Sequence, residues 1–211
     1  MRVIGGRSRG RRLAAKLPQS VRPTSDRVRE SIFDILGSQG GVEGLRVIDL
    51  FCGSGALGVE ALSRGAASVT FVDSDTSALA AVRENLTAVG LADADATLVR
   101  AQLPGWLRLG ARTGARTRIG ATPTSNATAP GPPGAGSGPA FDLALCDPPY
   151  DFTEWPALLE DLDAATVVME SSSPIVPPDT WVVARERRYG GTLITVAHQR
   201  GNTGGQTGED A

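Results

Sequence analysis

The stretch DLFCGSGALG at residues 49–58 joins an apolar segment to a helix-forming one through two closely spaced glycines. Residues 46–51 are typical of a buried strand, and residues 56–64 are typical of a helix that ends at Gly65. Gly53 and Gly55 let the backbone approach a ligand that a Cβ atom would exclude. The N-terminus of the following helix points at whatever binds there. This stretch therefore predicts the first strand, turn and helix of a ligand-binding α/β sheet.

Strands alternate with helices on both sides of this stretch, which indicates βαβ units and a mostly parallel sheet. The apolar patterns predict further strands at 68–73, 97–100, 141–146 and 165–169, and helices at 24–36, 77–89 and 154–162. The last two strands, 181–187 and 192–198, flank Gly190 and Gly191 and form an antiparallel hairpin. We predict a Rossmann-like α/β fold with a mostly parallel seven-stranded sheet, a C-terminal antiparallel hairpin and helices on both faces.

The chain has 211 residues, which suffice for one domain, and a net charge of −2. The first 25 residues hold seven basic and no acidic residues, whereas the other 186 hold 14 basic and 23 acidic ones. We expect a basic N-terminal arm or hairpin (1–23), a catalytic domain (24–200) and a flexible tail (201–211). Two cysteines and the lack of a long apolar run favour a cytoplasmic protein with no membrane segment.

A Gly- and Pro-rich insertion at residues 110–140 interrupts the domain, and we expect it to be disordered. It carries Arg112, Arg116 and Arg118 and no acidic residue. Two interpretations of this insertion remain: it contacts RNA, or it is a solvated loop without a binding role. A solvated loop is favoured because low-complexity segments of this kind bury too little apolar surface to fold.

The glycine stretch and Asp73 together predict a nucleoside site. Asp73 follows Gly53 by twenty residues and ends the next strand, where an acid accepts hydrogen bonds from ribose hydroxyls. Residues 53–58 also match the dinucleotide pattern G-x-G-x-x-G. However, the carboxylate of Asp49 would repel a pyrophosphate and suits a cationic ligand. S-adenosylmethionine (SAM) is therefore favoured over NAD, and a glycine turn without a ligand is the remaining alternative.

The tetrapeptide DPPY at 147–150 directly follows a predicted strand and supplies hydrogen-bond acceptors beside an aromatic ring. The Asp147 carboxylate and the Pro148 carbonyl can accept both hydrogens of a planar exocyclic amine, and Tyr150 can stack on the ring that carries it. Asp147 can also take the proton released as the N–C bond forms. The alternative is a proline-rich turn with no chemical role.

The sequence resembles the RsmD family of class I SAM-dependent methyltransferases. The resemblance rests on RVIGGRSRGRRL at 2–13, RPTSDRVRESIFDIL at 22–36, DLFCGSGALGVEALSRGA at 49–66 and DPPY. It implies methyl transfer to N2 of a guanine in 16S ribosomal RNA (rRNA), at guanine 966. The products would be N2-methylguanosine and S-adenosylhomocysteine, and we expect a source with a high-GC bacterial genome.

The resemblance and the local patterns nominate three sets of site residues. The catalytic candidates are Asp147, Pro148 and Tyr150. The cofactor-binding candidates are Thr24, Asp49, Phe51, Gly53, Ser54, Gly55, Asp73, Ser74 and Gln102. The RNA-binding candidates are Arg7, Arg9, Arg11, Arg12, Arg22 and Arg27. Gln102 departs from the family, which usually has an acid there to hold the adenine amine, and an amide oxygen accepts less strongly.

We expect the partner to be 16S rRNA, either free or only within the 30S subunit or an assembly intermediate. We also expect a monomer with no metal ion, since no His/Cys cluster is present. One alternative is an amino methyltransferase that acts on DNA adenine N6 or on a protein glutamine amide, because DPPY does not exclude either. Another is a non-catalytic RNA-binding assembly factor, which Gln102 favours and the intact Asp49, Asp73 and DPPY disfavour.

Overall fold

A computed structural model of the chain describes residues 1–14, 26–109, 115–120 and 139–201. Within these ranges it contains five α-helices and eight strands. The helices are α1 (Asp26–Gly37), α2 (Ala56–Ser63), α3 (Thr76–Ala88), α4 (Gly105–Arg108) and α5 (Trp155–Glu160). The strands are β1 (Arg46–Leu50), β2 (Ser68–Asp73), β3 (Ala96–Arg100), β4 (Ala115–Ile119), β5 (Phe141–Cys146), β6 (Ala164–Ser171), β7 (Trp181–Tyr189) and β8 (Thr192–Gln199).

All eight strands form one sheet in the order β4-β3-β2-β1-β5-β6-β8-β7. Strands β1, β2, β3, β5 and β6 are parallel, whereas β4 and the β7–β8 hairpin are antiparallel to their neighbours. The predicted α/β fold, with a mostly parallel sheet and a C-terminal antiparallel hairpin, is confirmed. None of the helices in the described ranges has the length and apolar character needed to cross a bilayer.

The sheet has eight strands rather than the seven predicted, because β4 lies inside the insertion that was expected to be disordered. Ile119 packs against the core, and the Arg118 guanidinium pairs with the Asp95 carboxylate, with Nη2 and Oδ2 2.8 Å apart. These contacts hold residues 115–119 against β3. The expected disorder is therefore wrong for this segment, while residues 110–114 and 121–138, Arg112 among them, lie outside the described residues.

The sheet separates two apolar layers. Alternate strand residues face either layer, so that Val47 packs with α1, α2 and α3 while Ile48 packs with α4 and α5. Helix α2 lies so close to β2 that a Cβ atom on Gly58 would meet the Phe71 ring at 2.3 Å. The third glycine of the stretch therefore serves helix–strand packing.

Residues 1–13 form a hairpin with a 3-10 turn at Gly6–Ser8, and this hairpin packs on the body of the protein. Ser8 Oγ donates to the carbonyl of Val89 at the end of α3, and the Ser63 hydroxyl at the end of α2 donates to Gly5. Helices α2 and α3 begin after the carboxyl ends of β1 and β2 and run back towards the amino ends of these strands. The turn of the hairpin therefore lies at the amino end of the sheet.

Candidate functional site

The glycine loop and DPPY lie side by side because β1 and β5 are parallel neighbours. Leu50 is paired with Cys146, so Phe51 and Asp147 leave the sheet at the same level. The chain proceeds from β1 to β2 and β3 on one side and continues through β5 and β6 on the other. The carboxyl ends of β1 and β5 thus mark the point where strand order reverses, which is where open α/β sheets bind ligands.

The loop between β1 and α2 has a backbone that forms a cradle. Phe51, Gly53 and Gly55 have φ angles of +56°, +51° and +75°. A Cβ atom on Gly55 would lie 2.8 Å from the side chain of Val82, so the loop packs closely on α3. Asn85, which is fully buried, donates from Nδ2 to the carbonyl of Ser54 at 2.9 Å. The loop is therefore held in place by α3, and it lies at the N-terminus of α2.

Asp49 lies buried beneath this loop and suits a positively charged ligand. Its Oδ2 accepts a hydrogen bond from Gly58 N–H at 2.9 Å. Burial raises the pKa of Asp49 well above its ordinary value, against the lowering effect of the Gly58 hydrogen bond, and the charges of Asp147 and Asp73 raise it further. An ammonium or sulfonium group would offset this accumulation of negative charge, whereas a pyrophosphate would add to it. This group of carboxylates therefore fits the positively charged SAM better than a dinucleotide.

Asp73 is positioned by backbone donors at the carboxyl end of β2. Its Oδ2 accepts from Gly53 N–H and its Oδ1 accepts from Asp75 N–H, each at 2.9 Å. Each oxygen keeps a further acceptor site, so the carboxylate can still receive two ribose hydroxyls. Ser74 and Gln102 lie exposed beyond the ends of β2 and β3 on the same side of the loop. Thr24 lies outside the described residues.

A cavity of about 290 Å³ lies against DPPY. Asp147, Pro148 and Tyr150 line it, as do Glu170 at the end of β6 and Thr192 at the start of β8. Pro148 is buried, Asp147 is half-buried, and 63% of Tyr150 is exposed, which leaves its ring accessible to a stacking partner. The cavity thus places acceptors and an aromatic ring beside the cradle, as a planar amine requires.

Sequence reasoning missed Glu170, although the signal that identified Asp147 also marks it. Both acids stand at the carboxyl end of an apolar parallel strand, and the pairing of Cys146 with Met169 makes them neighbours across the sheet. Only 6% of Glu170 is exposed. Two carboxyl groups therefore line the same cavity.

Aromatic side chains connect the cradle with this cavity. The rings of Phe51 and Phe152 lie edge to face with centroids 5.1 Å apart, and the rings of Phe152 and Trp155 are 5.2 Å apart in the same arrangement. Phe152 and Trp155 also line the cavity. The apolar contact sets the position of the residues after DPPY relative to the glycine loop.

The described arginines among those predicted to bind RNA lie on the N-terminal hairpin and on the first turn of α1, two elements that are in contact through Arg29 and the carbonyl of Arg2. Arg7, Arg9, Arg11 and Arg12 belong to the N-terminal hairpin, and Arg11 Nη1 donates to the carbonyl of Val89 at 2.8 Å, at the amino end of the sheet. Arg27 is exposed in the first turn of α1, a helix whose last turn leads through residues 38–45 to the start of β1. Arg22 lies outside the described residues.

The sequence of this chain is similar to a family model and to several proteins with assigned names. Residues 1–124 match a family model described as "Conserved hypothetical protein 95". The Bacillus subtilis protein "Putative rRNA methyltransferase YlbH" is 34% identical over 213 residues, which cover 95% of this chain and 100% of that protein. The "Ribosomal RNA small subunit methyltransferase D" of Haemophilus influenzae is 27% identical over 202 residues, with 90% and 89% covered.

A solved structure also resembles this chain along almost its whole length. The structure described as "Putative methyltransferase yhhF from Escherichia coli" aligns with a TM-score of 0.68 at 26% identity. The alignment covers 94% of this chain and 97% of that chain. The predicted class of fold, that of the class I methyltransferases, is confirmed by this similarity.

Proposed function

The chain belongs to the RsmD family of ribosomal RNA methyltransferases, and from that membership we propose that it methylates N2 of a guanine in 16S rRNA, at position 966. The methyl donor would be SAM, and the products would be N2-methylguanosine and S-adenosylhomocysteine. The observation that carries the proposal is the cavity at Asp147 and Pro148 directly beside the glycine cradle. An rRNA substrate also keeps the cytoplasm as the proposed location.

The residues around the cradle would hold SAM by its charges and its ribose. Asp49 lies where it would attract the positive charge, and Asp73 would accept the ribose hydroxyls. Gln102 would bind the adenine, because its side-chain oxygen can accept a hydrogen bond from the adenine amine. When bound, SAM supplies an electrophilic methyl group.

Asp147 and Pro148 would then prepare the nucleophile. The lone pair of a nucleobase amine is delocalised into its ring, so the nitrogen is a weak nucleophile. Acceptance of both N–H hydrogens, by the Asp147 carboxylate and the Pro148 carbonyl, favours a pyramidal nitrogen whose lone pair points at the methyl group. The carboxylate can then receive the proton that leaves the nitrogen. Tyr150 would stack on the base, and the remaining catalysis would come from in-line positioning.

The size of the cavity supports a single base as the substrate group. A volume of about 290 Å³ admits one planar ring system but not a duplex. The target guanine would therefore have to leave its stack to reach Asp147. DNA adenine N6 and a protein glutamine amide present similar amines, and membership in a family of rRNA methyltransferases argues against them. The intact Asp49, Asp73 and Asp147 argue against a non-catalytic assembly factor.

Transfer of label from SAM would test the proposal. Free 16S rRNA, 30S particles, an assembly intermediate, DNA and total protein would each be incubated with the enzyme, and the products digested to nucleosides. We expect label in N2-methylguanosine, from one or more of the RNA substrates. Label in N6-methyladenine, or only in protein, would contradict the proposal.

The Asp147→Ala variant would test the division of roles within the site. We expect it to lose methyl transfer but to keep SAM binding measured by calorimetry, since Asp147 is assigned to the target amine. Asp34→Ala, which removes an exposed acid on α1, is the matched control and should retain both. Loss of SAM binding by Asp147→Ala would show that this carboxylate belongs to the cofactor site.

A further inference from the structure

The end of the β7–β8 hairpin borders the cavity assigned to the target base. In the register of the sheet, Arg187 is paired with Ile194, which is paired in turn with Glu170. Arg188 is likewise related through Leu193 to Ser171. Residues directly opposite each other across strands share a face of the sheet. Each arginine therefore shares its face with a residue that lines the cavity.

Both arginines are exposed, and together they flank the end of an edge strand. Arg188 Nη1 donates to the carbonyl of Ser172 at 3.4 Å, and Ser172 is itself part of the cavity wall. Arg187, the preceding residue, points to the opposite face because side chains alternate along a strand. The turn at Gly190 and Gly191 adds no side chain that would block access.

The cavity and its surroundings carry negative charges that the two arginines can offset. Asp147 and Glu170 line it, and the exposed acids Asp151 and Glu154 follow DPPY nearby. RNA carries one negative charge per nucleotide, so these acids oppose the approach of its backbone. The arginines at the turn of the N-terminal hairpin lie at the amino end of the sheet, where Arg11 binds the carbonyl of Val89. They do not compensate locally for the acids at the carboxyl end.

We propose that Arg187 and Arg188, here called the hairpin rim, bind the RNA phosphates next to the flipped guanine. The inference rests on the proposed function and deepens it by assigning a docking surface for the RNA backbone. Guanidinium groups bind phosphate oxygens in a bidentate manner, and such contacts position the RNA without reading its sequence. The rim thus offsets the repulsion by the acids of the cavity and orients the strand whose base enters it.

Salt-dependent RNA binding tests the rim. The Arg187→Ala/Arg188→Ala variant and the wild type would be titrated with 16S rRNA or 30S particles over a range of KCl concentrations. We expect affinity to fall about tenfold at moderate salt and the slope of log K against log salt to become shallower by about 1–2, as loss of one or two phosphate contacts predicts. KM for RNA should rise while kcat at saturation stays unchanged. SAM affinity and the unfolding midpoint should also stay unchanged.

Two variants separate a local contact from a general effect of charge. Arg83→Ala/Arg200→Ala removes the same charge from exposed positions on α3 and after β8, and it should leave the salt slope unchanged. Arg187→Lys/Arg188→Lys keeps the charge and should recover most of the slope. An unchanged slope in the alanine variant, or an equal change in the control pair, would overturn the proposal. If the wild type methylates no RNA, the proposed function fails, and the binding comparison still decides whether the rim exists.

Discussion

Glu60 fixes the N-terminal hairpin to the body of the protein, so Glu60→Gln should destabilise the whole domain. The side chain is 1% exposed and accepts from the backbone N–H groups of Ile4 and Gly5 at 2.8 and 2.7 Å, and from Arg64 Nε at 2.8 Å. It also lies 3.7 Å from the Arg29 guanidinium, which is equally buried. Glutamine keeps one acceptor oxygen and turns an amide donor towards groups that are themselves donors.

The magnitude follows from the charge that this substitution leaves behind. Removal of one partner of a buried ion pair costs about 3–5 kcal/mol. Asp26 also pairs with Arg29 at 3.0 Å and keeps the loss near the lower limit. We therefore expect about 3 kcal/mol, which for a chain of this size lowers Tm by roughly 6–12 °C.

Urea unfolding and calorimetry would measure this loss. Glu84→Gln, which alters an exposed residue of α3, is the matched control and should stay within about 0.5 kcal/mol of the wild type. Limited proteolysis should also cut the hairpin of Glu60→Gln sooner, at its arginines. A loss below about 1 kcal/mol would refute the reasoning, because Arg29 could then not depend on Glu60 for compensation of its buried charge.

Three further substitutions test the cradle and the residues around it. Burial raises the pKa of Asp49 above its value in the unfolded chain, so the ionised carboxylate destabilises the folded protein increasingly as the pH rises from the unfolded towards the folded pKa. Asp49→Asn should therefore stabilise the ligand-free protein in thermal melts, and more at neutral than at acidic pH. The same substitution should weaken SAM binding. Gly58→Ala should cost about 1–3 kcal/mol in urea unfolding, since its Cβ would overlap Phe71, whereas Gly37→Ala, with open space around it, should cost nothing comparable. Gln102→Glu should tighten SAM binding several-fold in calorimetry, because a charged acceptor binds the adenine amine more strongly, and an unchanged Kd would remove Gln102 from the site.

Most of the fold could be predicted because its signals are local. The apolar strand before the glycine loop and the helix after it need only a few residues to be recognised, and β1 and α2 lie where expected. Strand β4 was missed because its sequence ARTRI is mostly polar and is surrounded by Gly- and Pro-rich chain. Its position depends on Asp95 and on the core beneath Ile119, which are contacts that no local pattern contains.

The positions of the candidate site residues were predictable where one rule sufficed. Asp49, Asp73 and Asp147 lie at or directly after the carboxyl ends of apolar strands, and parallel strands bring these ends to one edge. The contribution of β8 was not predictable, because its place beside β6 depends on strand order rather than on sequence proximity. The docking of the N-terminal hairpin was equally inaccessible. A run of arginines indicates exposed charge, whereas the buried carboxylate of Glu60 that binds the backbone between them gives no local signal.

Basic and acidic residues lie at different ends of the sheet, a separation that the net charge of −2 does not show. At the amino end, arginines of the N-terminal hairpin also stabilise the fold: Arg11 donates to the carbonyl of Val89, directly after α3, and Arg2 Nη1 donates to the carbonyl of Gly10. At the carboxyl end, acids surround the places assigned to the cofactor and to the base. Such acids can hold a cation and accept amine hydrogens, but they repel a polyanion. For the RNA substrate proposed above, this repulsion calls for cations beside the cavity, and the exposed Arg187 and Arg188 at the end of β7 are the residues that we propose for this role.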